Sequence, residues 1–143
     1  MTSFSLDVSR FAERAKDKMH LVVRKVAIDL FSRVILRTPV GNPSLWKSKP
    51  PKGYVGGRLR ANWQCAIGSV PSGTLQLNDK TGQATINKMQ AVALGLKAGQ
   101  TITLVNNLPY ARPVEFGWSK QAPAGMVGVT VQELNDAFNK ALR

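Results

Sequence analysis

At 143 residues and 43% hydrophobic content, the chain is long enough for one globular domain with its own core and too short for a second, which excludes a disordered class. Twenty Lys and Arg against eight Asp and Glu give a net charge of +12, which favours a polyanion or an acidic protein as partner and opposes uncompensated self-association. With a single Cys65 and a single His20, neither an internal disulfide nor a usual zinc site is available. Cys65 is therefore expected as a reduced, buried thiol in a cytosol. No apolar run approaches the roughly 20 residues that span a bilayer, and Met-Thr-Ser-Phe-Ser-Leu-Asp has neither the basic nor the apolar region of a signal peptide. The expectation is a chain that neither inserts into a membrane nor passes through secretion.

From about Asp7 to Thr38, apolar residues recur at Val8, Phe11, Ala12, Ala15, Met19, Val22, Val23, Val26, Ala27, Leu30, Phe31, Val34 and Ile35, the spacing of a helical stripe. Asp29 stands four residues from both Lys25 and Arg33 and can pair with either. Pro39 ends the helix, because it restricts the residue before it. At about 1.5 Å per residue such a helix runs roughly 45 Å, longer than a compact chain of this size is wide. It either kinks or reaches beyond its own domain to be covered by a neighbouring subunit. With no Gly or Pro inside it, the second is preferred.

Three prolines and four glycines punctuate Val40 to Gly57, a long loop with Leu45, Trp46, Tyr54 and Val55 as candidate anchors. Lys47, Lys49 and Lys52 make it a basic, partner-facing loop within a stretch, Leu30 to Asn78, that contains no acid. The alternatives are a loop ordered on a partner and a mobile surface loop. Arg58–Ala61 suits one helical turn. Asn62–Ile67 alternates as a half-buried strand with Trp63, Cys65 and Ile67 on one face, which makes Trp63 a core residue.

Ser69–Gly82 is turn-rich, with a short strand around Leu75 and Leu77. Gln83 to about Ala98 reads as a second helix capped by Gly99. Thr101–Val105 is a β-branched, alternating strand. Because Pro113 is tolerated only near a helix start, a short helix begins near Tyr110 or Ala111, and Gly117 closes it. Thr130 and Glu133 have the spacing of a capping box, with Val129 and Leu134 as its hydrophobic staple, opening a last helix that buries Val131, Leu134, Phe138, Ala141 and Leu142. The fold expected is α+β: a long N-terminal helix and two or three shorter helices packed on a small, mainly antiparallel sheet, in one domain over 1–143.

Chemistry is sparse. A nucleophilic triad would have to use His20, which lies within the long helix, and eight acids are few for paired-carboxylate or metal work. No catalytic, cofactor-binding or metal residue is assigned, and an enzyme is not expected. Glu115 is the one acid between Asp79 and Glu133. A lone carboxylate among basic and apolar residues reads as a clasp.

Four blocks in order carry a resemblance. Thr38-Pro39-Val40-Gly41 leads to Gly56-Gly57-Arg58-Leu59-Arg60-Ala61-Asn62-Trp63. Asn106-Asn107-Leu108-Pro109-Tyr110-Ala111 follows, then Glu115-Phe116-Gly117 with Ser119-Lys120-Gln121-Ala122-Pro123-Ala124-Gly125-Met126. Together they resemble the neck proteins of tailed bacteriophages, also called head-tail connecting or tail completion proteins. The chain departs from that pattern where Asn42–Gly56 interrupts a junction that often runs Thr-Pro-Val-Asp-Thr-Gly-Arg-Leu. The resemblance implies a non-enzymatic α+β subunit of a homo-oligomeric ring, of six or twelve copies, in the virion neck. Such a ring assembles in the host cytoplasm, between a head-side connector or head-closure protein and a tail terminator or tail tube protein. It continues the DNA channel, with non-specific contact to phage DNA. It also implies a subunit clasp or interface drawn from Arg58, Arg60, Trp63, Pro109, Tyr110, Glu115, Trp118 and Lys120, with Glu115 paired to Arg58 or Arg60 of its own or a neighbouring subunit. The alternative reading, from charge alone, is a small basic nucleic-acid-binding protein.

Overall fold

A helix free of Gly and Pro from Ser3 to Arg37 opens the chain (α1), and the rest of the molecule is built against its second half. The computed structural model describes residues 3–45 and 47–141, and the side chains of all of these except 3–9, 11, 12, 138 and 141. Trp46 and Leu142, and the side chains of Val8, Phe11, Ala12, Phe138 and Ala141, which the sequence assigns to a loop anchor and to two apolar stripes, lie outside the described residues.

After a 3-10 turn at Pro43–Leu45 come a single helical turn, α2 (Arg58–Ala61), and strand β1 (Trp63–Ile67). Helix α3 (Gln83–Ala93), strand β2 (Ile102–Asn106), the short helix α4 (Ala111–Glu115) and α5 (Val127–Ala141) follow. The strands pair antiparallel, with Trp63 opposite Asn106, Cys65 opposite Leu104 and Ile67 opposite Ile102. Those six side chains share one face. Helix α3 packs on α1 on one side and on β1 on the other. The architecture is α+β, with a long N-terminal helix, shorter helices and a two-stranded antiparallel sheet.

One hydrophobic cluster draws on α1, α2, β1, α3 and α4, with Ile102 and Leu104 of β2 packed against it. It joins Val34 and Ile35 of α1, Leu59 of α2, Trp63 of β1, Ile86, Met89 and Ala93 of α3, and Ala111 and Val114 of α4, and Leu108, Ala122 and Met126 complete it. Ile35, Met89 and Met126 are essentially inaccessible, and burying each contributes about 1.5–3 kcal/mol.

Helix α1 is uninterrupted, which favours reach over a kink. Its exit is fixed by Thr38, whose hydroxyl donates to the Val34 carbonyl at 2.8 Å before Pro39 ends the helix. Farther back, Arg24 Nε donates to the Leu96 carbonyl at 2.6 Å, and His20 Nδ1 accepts the Ala98 N–H at 2.7 Å. Before that anchor, Glu13 to Met19 are all exposed. At about 1.5 Å per residue, the 35 residues run roughly 50 Å.

Several expectations are corrected. Helix α3 stops at Ala93, well short of Ala98, where the backbone tightens through Gly95 and Leu96 amides bonding Val92 and Ala93. No strand forms around Leu75 and Leu77 among the described residues. Leu45 and Val55 are exposed, so they do not anchor the loop, whereas Tyr54 is half-buried. Cys65 is half-buried, and desolvation pushes its thiol up to about 11, which leaves it protonated at neutral pH.

Candidate functional site

Glu115 ends α4, and its carboxylate reaches the open end of α5. Oε2 accepts the N–H groups of Met126 and Val127, both at 2.8 Å, and Oε1 accepts that of Gly128 at 2.8 Å. The first amides of a helix have no intrahelical acceptor, and the helix dipole favours a negative charge there. One distant carboxylate thus does the work of a cap and joins two helices. Gly125 makes the approach feasible: its φ is +83°, and an added Cβ would lie 2.2 Å from the Glu115 carbonyl oxygen. Gly117, at φ +86°, lets the chain leave α4 with Trp118 N–H bonded to Pro113 O and Gly117 N–H to Val114 O, the double bond of a Schellman ending.

The clasp expected at Glu115 is present, but its partner is different. Within the subunit, backbone amides take the place of Arg58 or Arg60. Arg60 instead gathers carbonyls: Nε and Nη2 donate to Thr38 at 3.1 and 2.7 Å, Nη2 also to Leu36 at 3.0 Å, and Nη1 to Lys80 at 2.5 Å. A guanidinium at the negative end of α1 satisfies its last carbonyls. Burial lowers the Arg60 pKa from its ordinary value, while Asp79 opposes that shift. Arg58 is half-buried, and its Nε is enclosed with no hydrogen-bond partner among the described residues. It neighbours Tyr110, whose phenol is raised by burial and by Tyr54 and lowered by Arg58.

Trp63 is core, as expected from its alternation, and its Nε1 donates to the Thr38 hydroxyl at 2.7 Å. Asn62, entirely buried, was not singled out by the sequence. Its amide nitrogen donates to the Arg58 and Leu75 carbonyls at 2.8 and 3.1 Å, and its oxygen accepts the Leu75 N–H at 2.7 Å. Asn106 Nδ2 donates to Leu59 O at 2.8 Å, and Asn107 Nδ2 to Pro71 O and Gly73 O at 3.1 and 3.0 Å. The first three sequence blocks are therefore stitched together by side-chain hydrogen bonds, and the fourth is clasped on itself. Trp63 and Arg60 reach Thr38, Asn106 reaches Leu59, and Glu115 reaches Met126.

A second tie holds α5 against α1. Helix α5 begins at Val127, three residues before the expected cap, so Thr130 lies inside it and donates to Met126 O at 2.6 Å. The capping-box reading fails because Glu115 already occupies the helix end. Thr130 Oγ1 instead accepts from Arg37 Nη1 at 3.0 Å, and Glu133 pairs with Arg37 and, at 3.7 Å, with Arg33. Arg33 also meets Asp29 at 3.3 Å. At the start of α3, Asp79 accepts the Gly82 and Thr85 N–H groups, both at 2.9 Å, and the Thr85 hydroxyl at 2.7 Å.

Both acids titrate low. The hydrogen bond from Arg37 leads in lowering Glu133, against a smaller effect of desolvation, and the Arg37 and Arg33 charges add to it. Burial would raise Asp79, but the hydrogen bonds from Thr85, Gly82 and Thr81 outweigh it. A carboxyl depressed in the folded state stabilises fully above its unfolded value and loses that contribution as pH falls through the folded one. Thermal stability is therefore expected to drop below the ordinary values of 4.5 and 3.8 for these groups. Glu133→Gln with Asp79→Asn, followed by circular dichroism from pH 7 to pH 2, should flatten that part of the profile.

The remaining expected interface residues lie outward. Pro109 and Lys120 are exposed, as are Lys47, Lys49 and Lys52 of the basic loop. Trp118 is 76% exposed and Phe116, which the sequence did not single out, is 77% exposed. The Arg112 guanidinium lies 5.9 Å from the Phe116 ring centroid. Among the described residues no group of three His, Cys, Asp or Glu side chains is placed to hold a metal, and no helix is long and apolar enough to cross a membrane. No family model matches the chain, and neither the curated proteins nor the solved structures give a match to it.

Proposed function

We propose that this chain is a structural subunit of the neck of a tailed bacteriophage, forming a ring that joins the DNA-filled head to the tail and continues the DNA channel. It works by shape and surface, without chemistry of its own. The observation that carries the reading is the bonding of three of the four blocks behind the resemblance to one another, with the fourth clasped on itself. Residues that are far apart in sequence meet through bonds from Arg60, Trp63, Asn106 and Glu115 to Thr38, Leu59 and Met126. Motif residues in an enzyme converge on a substrate, whereas these converge on one another and on backbone and rigidify a frame.

Two further features favour a part made for assembly. Glu13 to Met19 of α1 are all exposed, and two large aromatics beside α4 face solvent. In this reading the exposed lysines at 47, 49 and 52 meet an acidic neighbouring ring or the DNA backbone. Either contact weakens as salt rises. The partners on the two sides are a head-side connector or head-closure protein and a tail terminator or tail tube protein. The virion is where the chain resides, after assembly in the host cytoplasm.

The test is made on particles. Purified virions should contain the chain in a copy number set by a ring, with its density on the tail axis at the head junction. Lysates lacking it should accumulate filled heads and finished tails that do not join. Complete infectious particles made without the chain would overturn the reading.

A further inference from the structure

Helix α1 carries one continuous row of side chains at three- and four-residue steps: Ala15, Met19, Val22, Val26, Leu30, Arg33 and Arg37. The second half of that row is covered. Arg37 holds Thr130 and Glu133, Arg33 reaches Glu133, and Asp29 and Leu30 line a small cavity with Leu134 and Ala137. This order of partners makes α5 antiparallel to α1, running from the Arg37 end toward the start of the chain. The first half of the row is bare: Val26 is 43% exposed, Val22 60% and Met19 58%. The chain thus builds a lane for a helix and covers half of it.

The most exposed large hydrophobic side chains among the described residues are Phe116 and Trp118, set on the Gly117 turn. They stand at the opposite end of the same lane, because Glu115 of that turn binds the first amides of α5. Helix α5 has 15 residues, so roughly 22 Å of helix separates the aromatic knob from the bare row. No chain can fill its own.

We infer that the Phe116–Trp118 knob of one copy seats on the Met19–Val22–Val26 row of the next. This deepens the ring reading and rests on it. The row is continuous with an interface the chain already makes, and the two surfaces differ, so the contact is head-to-tail and propagates until rotation closes it. Aromatic knobs are the residue types that dominate association energetics. Two aromatics on three aliphatic side chains cover less than the roughly 800 Å² per partner of a stable complex. An isolated pair is accordingly weak, and closure, which gives each copy two contacts, supplies the rest. Because every copy carries +12, added salt should strengthen the contact, the reverse of its effect on binding to DNA.

The test uses the full chain with two surface variants, Trp118→Ala (no knob) and Val22→Asp (no row), each checked for folding by circular dichroism. At high concentration in 0.5 M salt, wild type should sediment as species larger than a dimer. Each variant alone should be monomeric, with self-association weakened about tenfold or more. An equimolar mixture of the two should stop at a dimer, since one intact knob and one intact row remain between them. As a covalent check in a Cys65→Ala background, Trp118→Cys mixed with Val22→Cys should give a disulfide-linked heterodimer more readily than either alone. A mixture that stays monomeric, a knobless variant that assembles like wild type, or a wild type that never associates would each overturn the pairing. Virions settle the rest separately: Trp118→Ala built normally into the neck sinks the pairing alone, while absence of the chain from particles sinks the neck reading and leaves the solution result standing.

Discussion

Glu115→Ala is expected to lower the unfolding free energy by about 2–3 kcal/mol, because it removes one charged acceptor from three helix-end amides. Of these, Met126 N–H is the one without recourse: Met126 is 1% exposed, whereas Val127 and Gly128 lie at the surface and can turn to water. The loss falls first on α5. Hydrogen exchange should accelerate at Met126, Val127 and Gly128 well before it does in α3, and urea titration should show the lower midpoint. Glu115→Gln keeps one carbonyl acceptor and no charge, so it should recover about half of the loss. Equal protection of α5 in wild type and Glu115→Ala would mean that the Arg37–Glu133 tie holds the helix alone. On the proposed neck reading, the same substitution should leave filled heads and finished tails unjoined.

Asn62→Asp should cost more, about 3–5 kcal/mol, although it changes a single atom. The Asn62 amide nitrogen sits between the Arg58 and Leu75 carbonyls at 2.8 and 3.1 Å, in a side chain with no solvent exposure. An aspartate there keeps the Leu75 N–H on one oxygen but sets the other, charged, against two carbonyl oxygens, and a buried charge so poorly paired is strongly destabilising. A domain of this size holds roughly 5–15 kcal/mol in all, so a fall of about 10–15 °C in melting temperature is expected. The carboxyl can escape by taking a proton, which then donates to one of the carbonyls. The defect should therefore narrow in mild acid, above the range where Asp79 and Glu133 begin to fail. A variant that melts like wild type at pH 7 would show that the Ser69–Asn78 segment does not depend on this amide.

The elements legible in the sequence were those that announce themselves locally. The helix of α1, the strand carrying Trp63, Cys65 and Ile67, and the short helix set by Pro113 and Gly117 each follow from a period or a backbone restriction, and each is present in the structure. The expectation of Glu115 as a clasp came from its isolation in charge, which is also a local signal. Its partners were not legible, because a backbone N–H carries no signature in a sequence and arginine is the habitual guess for a carboxylate. The same blindness produced the misplaced start of α5. Thr130 and Glu133 have the spacing of a cap, and only the tertiary structure shows that Glu115 fills that place while Arg37 claims both residues. Asn62 was missed for a related reason: the alternation places it at the start of a strand, and nothing local marks the segment it holds, thirteen residues on. Asp79, the first acid after the basic stretch and a few residues before a helix, was the one missed residue with a usable signal.

The mounting of α1 has a mechanical consequence. Arg60 grips the end of the helix at Leu36 and Thr38, the backbone of Leu96 and Ala98 grips it at Arg24 and His20, and the helix runs on for roughly 25 Å before His20, with Glu13 to Met19 exposed. That is a beam on two supports with a free arm about as long as the supported span. A tilt of about 5° about the inner support displaces the tip by roughly 2 Å and lifts the Thr38 end by a comparable amount in the opposite sense. A load on the overhang is thereby delivered to Thr38 and Trp63, at the centre of the molecule.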